Sequence, residues 1–149
     1  MFRQTVFAIL LSAAAACSAP AGPKISTFDG WSRATGQANA AAYVTIENKG
    51  GADRLTGVRS DVGEARLHES TLEDGVMRMR PVEPGQGLSV PSNGKLVLAP
   101  GGAHVMITGL RKPLAAGDRF TLTLLFDRSR PHQVAIAVRL ATESGMPLE

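Results

Sequence analysis

Five side chains between positions 68 and 106 could do chemistry together: His68, Met77, Met79, His104 and Met106. They are two of the three histidines and three of the five methionines in a chain of 149 residues. Imidazole nitrogen and thioether sulfur form an uncommon donor set. Both are neutral, and the thioether is soft, so the metal they suit is copper, Cu(I) above all, while thioethers add little for Zn²⁺ or Mg²⁺. The tightest unit is His104-Val105-Met106. On a strand, side chains alternate between faces, which sets His104 and Met106 together, about 7 Å apart at their Cα atoms, and turns Val105 and Ile107 towards the core. The plain alternative is that Met106 is an ordinary surface residue and His104 a polar side chain with its hydrogen bonds met.

The other donors need a hairpin. The runs carrying His68 and Met79 flank Leu72-Glu73-Asp74-Gly75. With Glu73 and Asp74 as the loop, His68 lies opposite Met79, with Cβ atoms about 5 Å apart; a turn centred on Asp74-Gly75 shifts that register. Met77 and Met79 share a face against Arg78 and Arg80. That pattern reads Met77 as a core residue and Met79 as standing at the rim of the same face.

What positions these residues reads as all-β. Strand-like runs span Ala42 to Glu47, Arg54 to Arg59, Glu64 to Glu69, Val76 to Val82, Lys95 to Ala99, His104 to Leu110, Arg119 to Phe126 and Gln133 to Leu140. Turn signals separate them: Asn48-Lys49-Gly50-Gly51, Asp74-Gly75, Pro91-Ser92-Asn93-Gly94, Pro100-Gly101-Gly102 and Ala116-Gly117-Asp118. Many short strands without a helical period predict a β-sandwich or barrel. Phe120, Leu122, Leu124 and Phe126 form one apolar face, as do Val134, Ile136 and Val138. These two runs are core walls.

Composition excludes several classes. The net charge of +3 comes from scattered Lys and Arg, without a basic run, so nucleic-acid binding finds no support. Cys17 is the only cysteine, which removes a disulfide framework, Cys-x-x-Cys motifs and blue-copper ligation from the domain body. There is no Ser-His-Asp grouping and no paired carboxylates, and the chain is not expected to be an enzyme. His132 reads as a loop histidine, Trp31 and Tyr43 as packing residues.

Residues 1–17 carry the marks of an export signal: Arg3, then an apolar run from Val6 to Leu11, then Ala13 to Ala16. Ala14-Ala15-Ala16-Cys17 is similar to a bacterial lipobox, with Cys17 as the lipidated residue; cleavage after Ala21 is the soluble alternative. A linker over 18–24, a domain over 25–141 and a tail over 142–149 complete the expected organisation. The domain works outside the cytoplasm, as a monomer that touches membrane only through Cys17.

Three stretches resemble the PCu(A)C family of periplasmic copper chaperones. They are Asp29-Gly30-Trp31-Ser32-Arg33-Ala34 with Ala41 to Asn48, Leu67-His68-Glu69 with Asp74 to Val82, and Pro100-Gly101-Gly102-Ala103-His104-Val105-Met106. The likeness spans nearly the whole chain after the signal. It implies a cupredoxin-like β-sandwich that binds Cu(I) through His68, Met79, His104 and Met106, the choice of Met79 over Met77 coming from the family's spacing. It also implies delivery by ligand exchange towards the CuA centre of cytochrome c oxidase, alongside a Sco-type thiol protein. The chain departs from the family in a longer interval between Met79 and His104, around Pro84-Gly85-Gln86-Gly87, and in Glu69 where some members carry a methionine. The reading from a different class is a metal-free β-sandwich adaptor for an envelope protein partner.

Overall fold

The computed structural model describes residues 21–142, and the export signal, Cys17 and the end of the tail lie outside the described residues. Ten strands follow one another: β1 (Ile25–Arg33), β2 (Ala40–Asn48), β3 (Asp53–Ser60), β4 (Glu64–Glu73), β5 (Val76–Pro81), β6 (Leu88–Val90), β7 (Gly94–Leu98), β8 (His104–Thr108), β9 (Arg119–Phe126) and β10 (His132–Arg139). The hydrogen-bonded order is β5-β4-β8-β2-β1-β10-β9-β3-β6, with β7 on the far half of β2. Every pairing is antiparallel except that of β1 with β10. This is the all-β, mostly antiparallel fold the alternation predicts.

β2 is the central strand. Its first three residues pair with β8, and Val44 to Asn48 pair with β7. Ala42, Val44 and Ile46 point inward and are almost fully buried, beside Leu55, Val105, Ile107, Leu122, Leu124 and Ile136. The expected apolar walls of β9 and β10 are there: Phe120, Leu122, Leu124, Val134, Ile136 and Val138 are buried.

Two strands escape the sequence pattern. β1 is broken by a register shift between Phe28 and Trp31, with Asp29 in the left-handed region at φ 56° and Gly30 beside it. A side chain at Gly30 would meet the carbonyl oxygen of Ala135 at 2.8 Å, so the bulge needs glycine there. β6 is only three residues long, caught between Gly87 and Pro91. Asp53 ties β3 to the β9–β10 turn: its carboxylate accepts from the backbone N–H groups of Arg54, Arg128 and Ser129 and from the Ser129 hydroxyl. Burial pushes that carboxyl up, and these four hydrogen bonds outweigh it, holding Asp53 below the usual carboxylate range. His132 opens β10, with Nε2 3.0 Å from the Thr27 hydroxyl, so it links β10 to β1.

Candidate metal centre

Hairpin β4–β5 and strand β8 carry the candidate donors, and their register sets which side chains meet. The turn places both Asp74 (φ 51°) and Gly75 (φ 77°) in the left-handed region, the signature of a two-residue type I′ turn. Glu73 therefore pairs with Val76, Ser70 with Met79 and His68 with Pro81. The direct opposition of His68 and Met79 is thus corrected. The Asp-Gly turn shifts every pair by two residues, and Met79 lies diagonally from His68. A shift of two preserves the face, so His68 and Met79 still point the same way.

Across the other edge of β4, His68 is paired directly with His104, and Arg66 with Met106. All four candidate side chains therefore project from one face of three adjacent strands. Val105 and Ile107 fill the core behind them with no exposure. His104 is itself buried, at 4% exposure, although it faces away from that core. Tyr43 covers it, with ring centroids 6.5 Å apart, and Tyr43 leans in turn on Trp31 at 4.5 Å. The guanidinium groups of Arg139 and Arg33 cap Trp31 at 5.3 and 5.9 Å. Burial raises the Tyr43 hydroxyl above its ordinary pKa, with Arg33 opposing the shift, so this wall stays neutral at physiological pH.

The two imidazoles are prepared differently. His104 Nδ1 lies 3.0 Å from the Gly102 carbonyl oxygen. A carbonyl only accepts, so Nδ1 carries the hydrogen and Nε2 keeps its lone pair. This is how a ligating histidine is commonly oriented from behind. In His68, Nδ1 is buried with no hydrogen-bond partner among the described residues. Burial, followed by the nearby His104 and Arg66, lowers the pKa of His68, which leaves the ring neutral at neutral pH. Such an orphaned nitrogen is costly unless something fills it.

The ring separation permits one ion between them. An ion about 2.0 Å from a ring nitrogen stands about 3.1 Å from the ring centroid, so two imidazoles sharing it have centroids no more than about 6.3 Å apart. The centroids of His68 and His104 are 5.8 Å apart, with the rings tilted by 52°. Among the described residues no three His, Cys, Asp or Glu side chains group as a metal site, so further donors here would be the thioethers. Met106 is half-buried and Met79 is 60% exposed. Arg66, on the same face, is tied to Glu64 at 2.6 Å. The residues present thus fit a soft, singly charged cation better than a hard divalent one.

Met77 does not take the core position the sequence pattern assigns to it. It is 52% exposed, opposite a still more exposed Leu72, and all six residues of β5 are exposed. β5 is the outermost strand of the sheet, and among the described residues its Met face is exposed. Tyr43 is the neighbour that sequence reasoning placed only in the packing. No signal in the sequence marks it: only the pairing of β2 with β8 brings Tyr43, one residue beyond Ala42, beside His104. A cleft of about 510 Å³ lies elsewhere, where β3 faces β4, lined by Val58, Leu67 and Val82 among others. The candidate donors sit on an open sheet face instead.

Fold and donor face together define a small all-β domain of the PCuAC type. The apo PCuAC domain from PmoF1 superposes with a TM-score of 0.64 at 27% identity, covering 80% of this chain and 96% of that one. The solution structure of CuI-DR1885 from Deinococcus radiodurans superposes with a TM-score of 0.58 at 26% identity, covering 87% and 85%. The chain belongs to the LpqE-like family, described as "Putative lipoprotein LpqE-like", which matches residues 25–138. Within the curated relatives, "Putative lipoprotein Lxx21020" of Leifsonia xyli subsp. xyli is 34% identical over 111 residues. That alignment covers 73% of this chain and 66% of the relative, so the chain spans just under two thirds of that protein's length.

Proposed function

We propose that this protein is an exported copper chaperone that holds one Cu(I) through His68, Met79, His104 and Met106 and passes it on by ligand exchange. The observation that carries the reading is the pair of cross-strand imidazoles 5.8 Å apart, one with an orphaned buried Nδ1, flanked on the same face by two thioethers. The Cu(I) form in which the similar DR1885 was solved supports the same metal.

Copper here is cargo, and the residues suit its release as well as its capture. All four donors are neutral, so no thiol must be deprotonated, which matters in an oxidising compartment. His104 is fixed by Gly102 and Tyr43, whereas Met79 stands on an exposed edge strand. An acceptor can therefore replace Met79 first and the buried His104 last, so the ion is never without several ligands. The compartment would be the periplasm, with Cys17 as a lipid anchor if it is processed. The acceptor would be the CuA subunit of cytochrome c oxidase, or a Sco-type thiol protein on the way to it.

The test is an anaerobic Cu(I) titration of the protein against a chromogenic chelator, alongside a Met79→Ala, Met106→Ala double variant. One tight equivalent, much weakened in the variant, is the expected result. No binding, or binding unchanged in the variant, would overturn the copper reading and leave the metal-free adaptor in its place.

A further inference from the structure

We infer that Met77 is a transfer ligand: a fifth donor and third thioether, outside the resident set, through which Cu(I) enters and leaves. The inference rests on the chaperone reading above and assigns the route on that same face. Along the face the register sets four successive rows: Met106 with Arg66, His104 with His68 and Pro81, Met79 with Ser70, and Met77 with Leu72. Donors thus run in a line from the middle of the sheet to the tip of the hairpin. β8 begins at His104, so the last two rows project beyond it. There a backbone bond from the Ser70 N–H to the Gly102 carbonyl, at 3.3 Å, ties the hairpin to the loop before β8.

Among the described residues Met77 has no packing task that would account for it. It lies outside the core and is half exposed, on the outermost strand. Its Cα lies about 7 Å from that of Met79, two residues along one strand face. Methionine has three rotatable side-chain bonds and a polarizable sulfur, so the two thioethers can close on an ion between them. Charge leaves the path clear for a cation. Arg78 and Arg80 project from the opposite face of β5 and are held there by Glu73, at 3.4 and 2.9 Å. In the exchange a copper–sulfur bond to Met77 forms while the bond to Met106, at the far end of the row, breaks. Copper remains Cu(I), and no proton or electron is transferred.

Such a residue affects rate and not equilibrium. The experiment is anaerobic stopped-flow transfer of Cu(I) from the loaded protein to a chromogenic chelator, comparing the parent with Met77→Leu. Leucine keeps the apolar volume and removes the sulfur. The expected result is a dissociation constant within about twofold of the parent and a transfer rate lower by about fivefold or more. A rate matching the parent would overturn the inference while leaving the chaperone reading intact. An affinity weakened tenfold or more would also overturn it, because Met77 would then be a resident ligand. A parent that takes up no Cu(I) would instead be a failure of the chaperone reading itself.

Discussion

Replacing Met79 by leucine should separate copper binding from folding, because the site is built from side chains of very different burial. Met79 is 60% exposed on an edge strand, and leucine conserves its volume and loses only the sulfur. Substitutions at such exposed positions alter stability by no more than about 0.5 kcal/mol. Losing a direct donor should weaken Cu(I) binding at least as much as losing an outer-sphere partner does, about 10-fold or more, which is about 1.4 kcal/mol. His104→Ala is the contrasting case. That ring is 4% exposed, donates to the Gly102 carbonyl and packs between Tyr43 and His68. Its removal should cost about 1–3 kcal/mol of stability in addition to the loss of binding. Urea unfolding of the metal-free proteins gives the first quantity and anaerobic chelator competition the second. An unchanged Cu(I) affinity in Met79→Leu would refute the thioether as a ligand. A stability loss in Met79→Leu as large as that in His104→Ala would refute the burial argument.

Further outcomes follow from two groups whose pKa values are displaced. In the proposed site protons compete with Cu(I) for His68, so chelator competition should show weaker binding as the pH falls from 7 to 5. A histidine titrating at 6.5 would impose a loss of about 25-fold over that range, and the lowered pKa of His68 makes its own share smaller than this. In the metal-free protein the same shift destabilises the fold as pH drops below about 6.5, because the unfolded chain then binds the proton more readily. That slope, read from urea midpoints, should flatten in His68→Gln. Asp53→Ala should cost about 2–3 kcal/mol at neutral pH, since it strands three backbone donors and the Ser129 hydroxyl. The Asp53 contribution is present above about pH 3.9 and is lost as pH falls through the lowered folded value, so parent and variant unfolding midpoints should converge in acid.

Much of the fold was legible in the chain because strand alternation is a local property. The inward set on β9 and β10 and the opposed faces of His104-Val105-Met106-Ile107 follow from a period of two and need no tertiary information. Eight strands were marked this way. β1 was not, because Asp29 and Gly30 interrupt its pattern at a bulge that only pairing with β2 and β10 makes favourable. β6 was too short to carry a period.

The sequence by itself determined the donor types, their order and the face each would occupy. Even the hairpin register, off by two residues, kept His68 and Met79 on one side, because an even slip cannot move a side chain across a sheet. What the sequence could not determine was distance between strands and exposure. His104 comes beside His68 only because β4 and β8, joined through 30 intervening residues between Glu73 and His104, lie next to each other in the sheet. Its burial depends on Tyr43 and Trp31, which belong to β2 and β1. Met77 shows the same limit in reverse: an apolar residue opposite arginines has the pattern of core whether or not anything covers it. The tertiary structure leaves β5 at the sheet edge, extending beyond β8 with its methionine face open. Alternation assigns a side chain to a face, and only the packing of distant segments decides whether that face meets protein, metal or water.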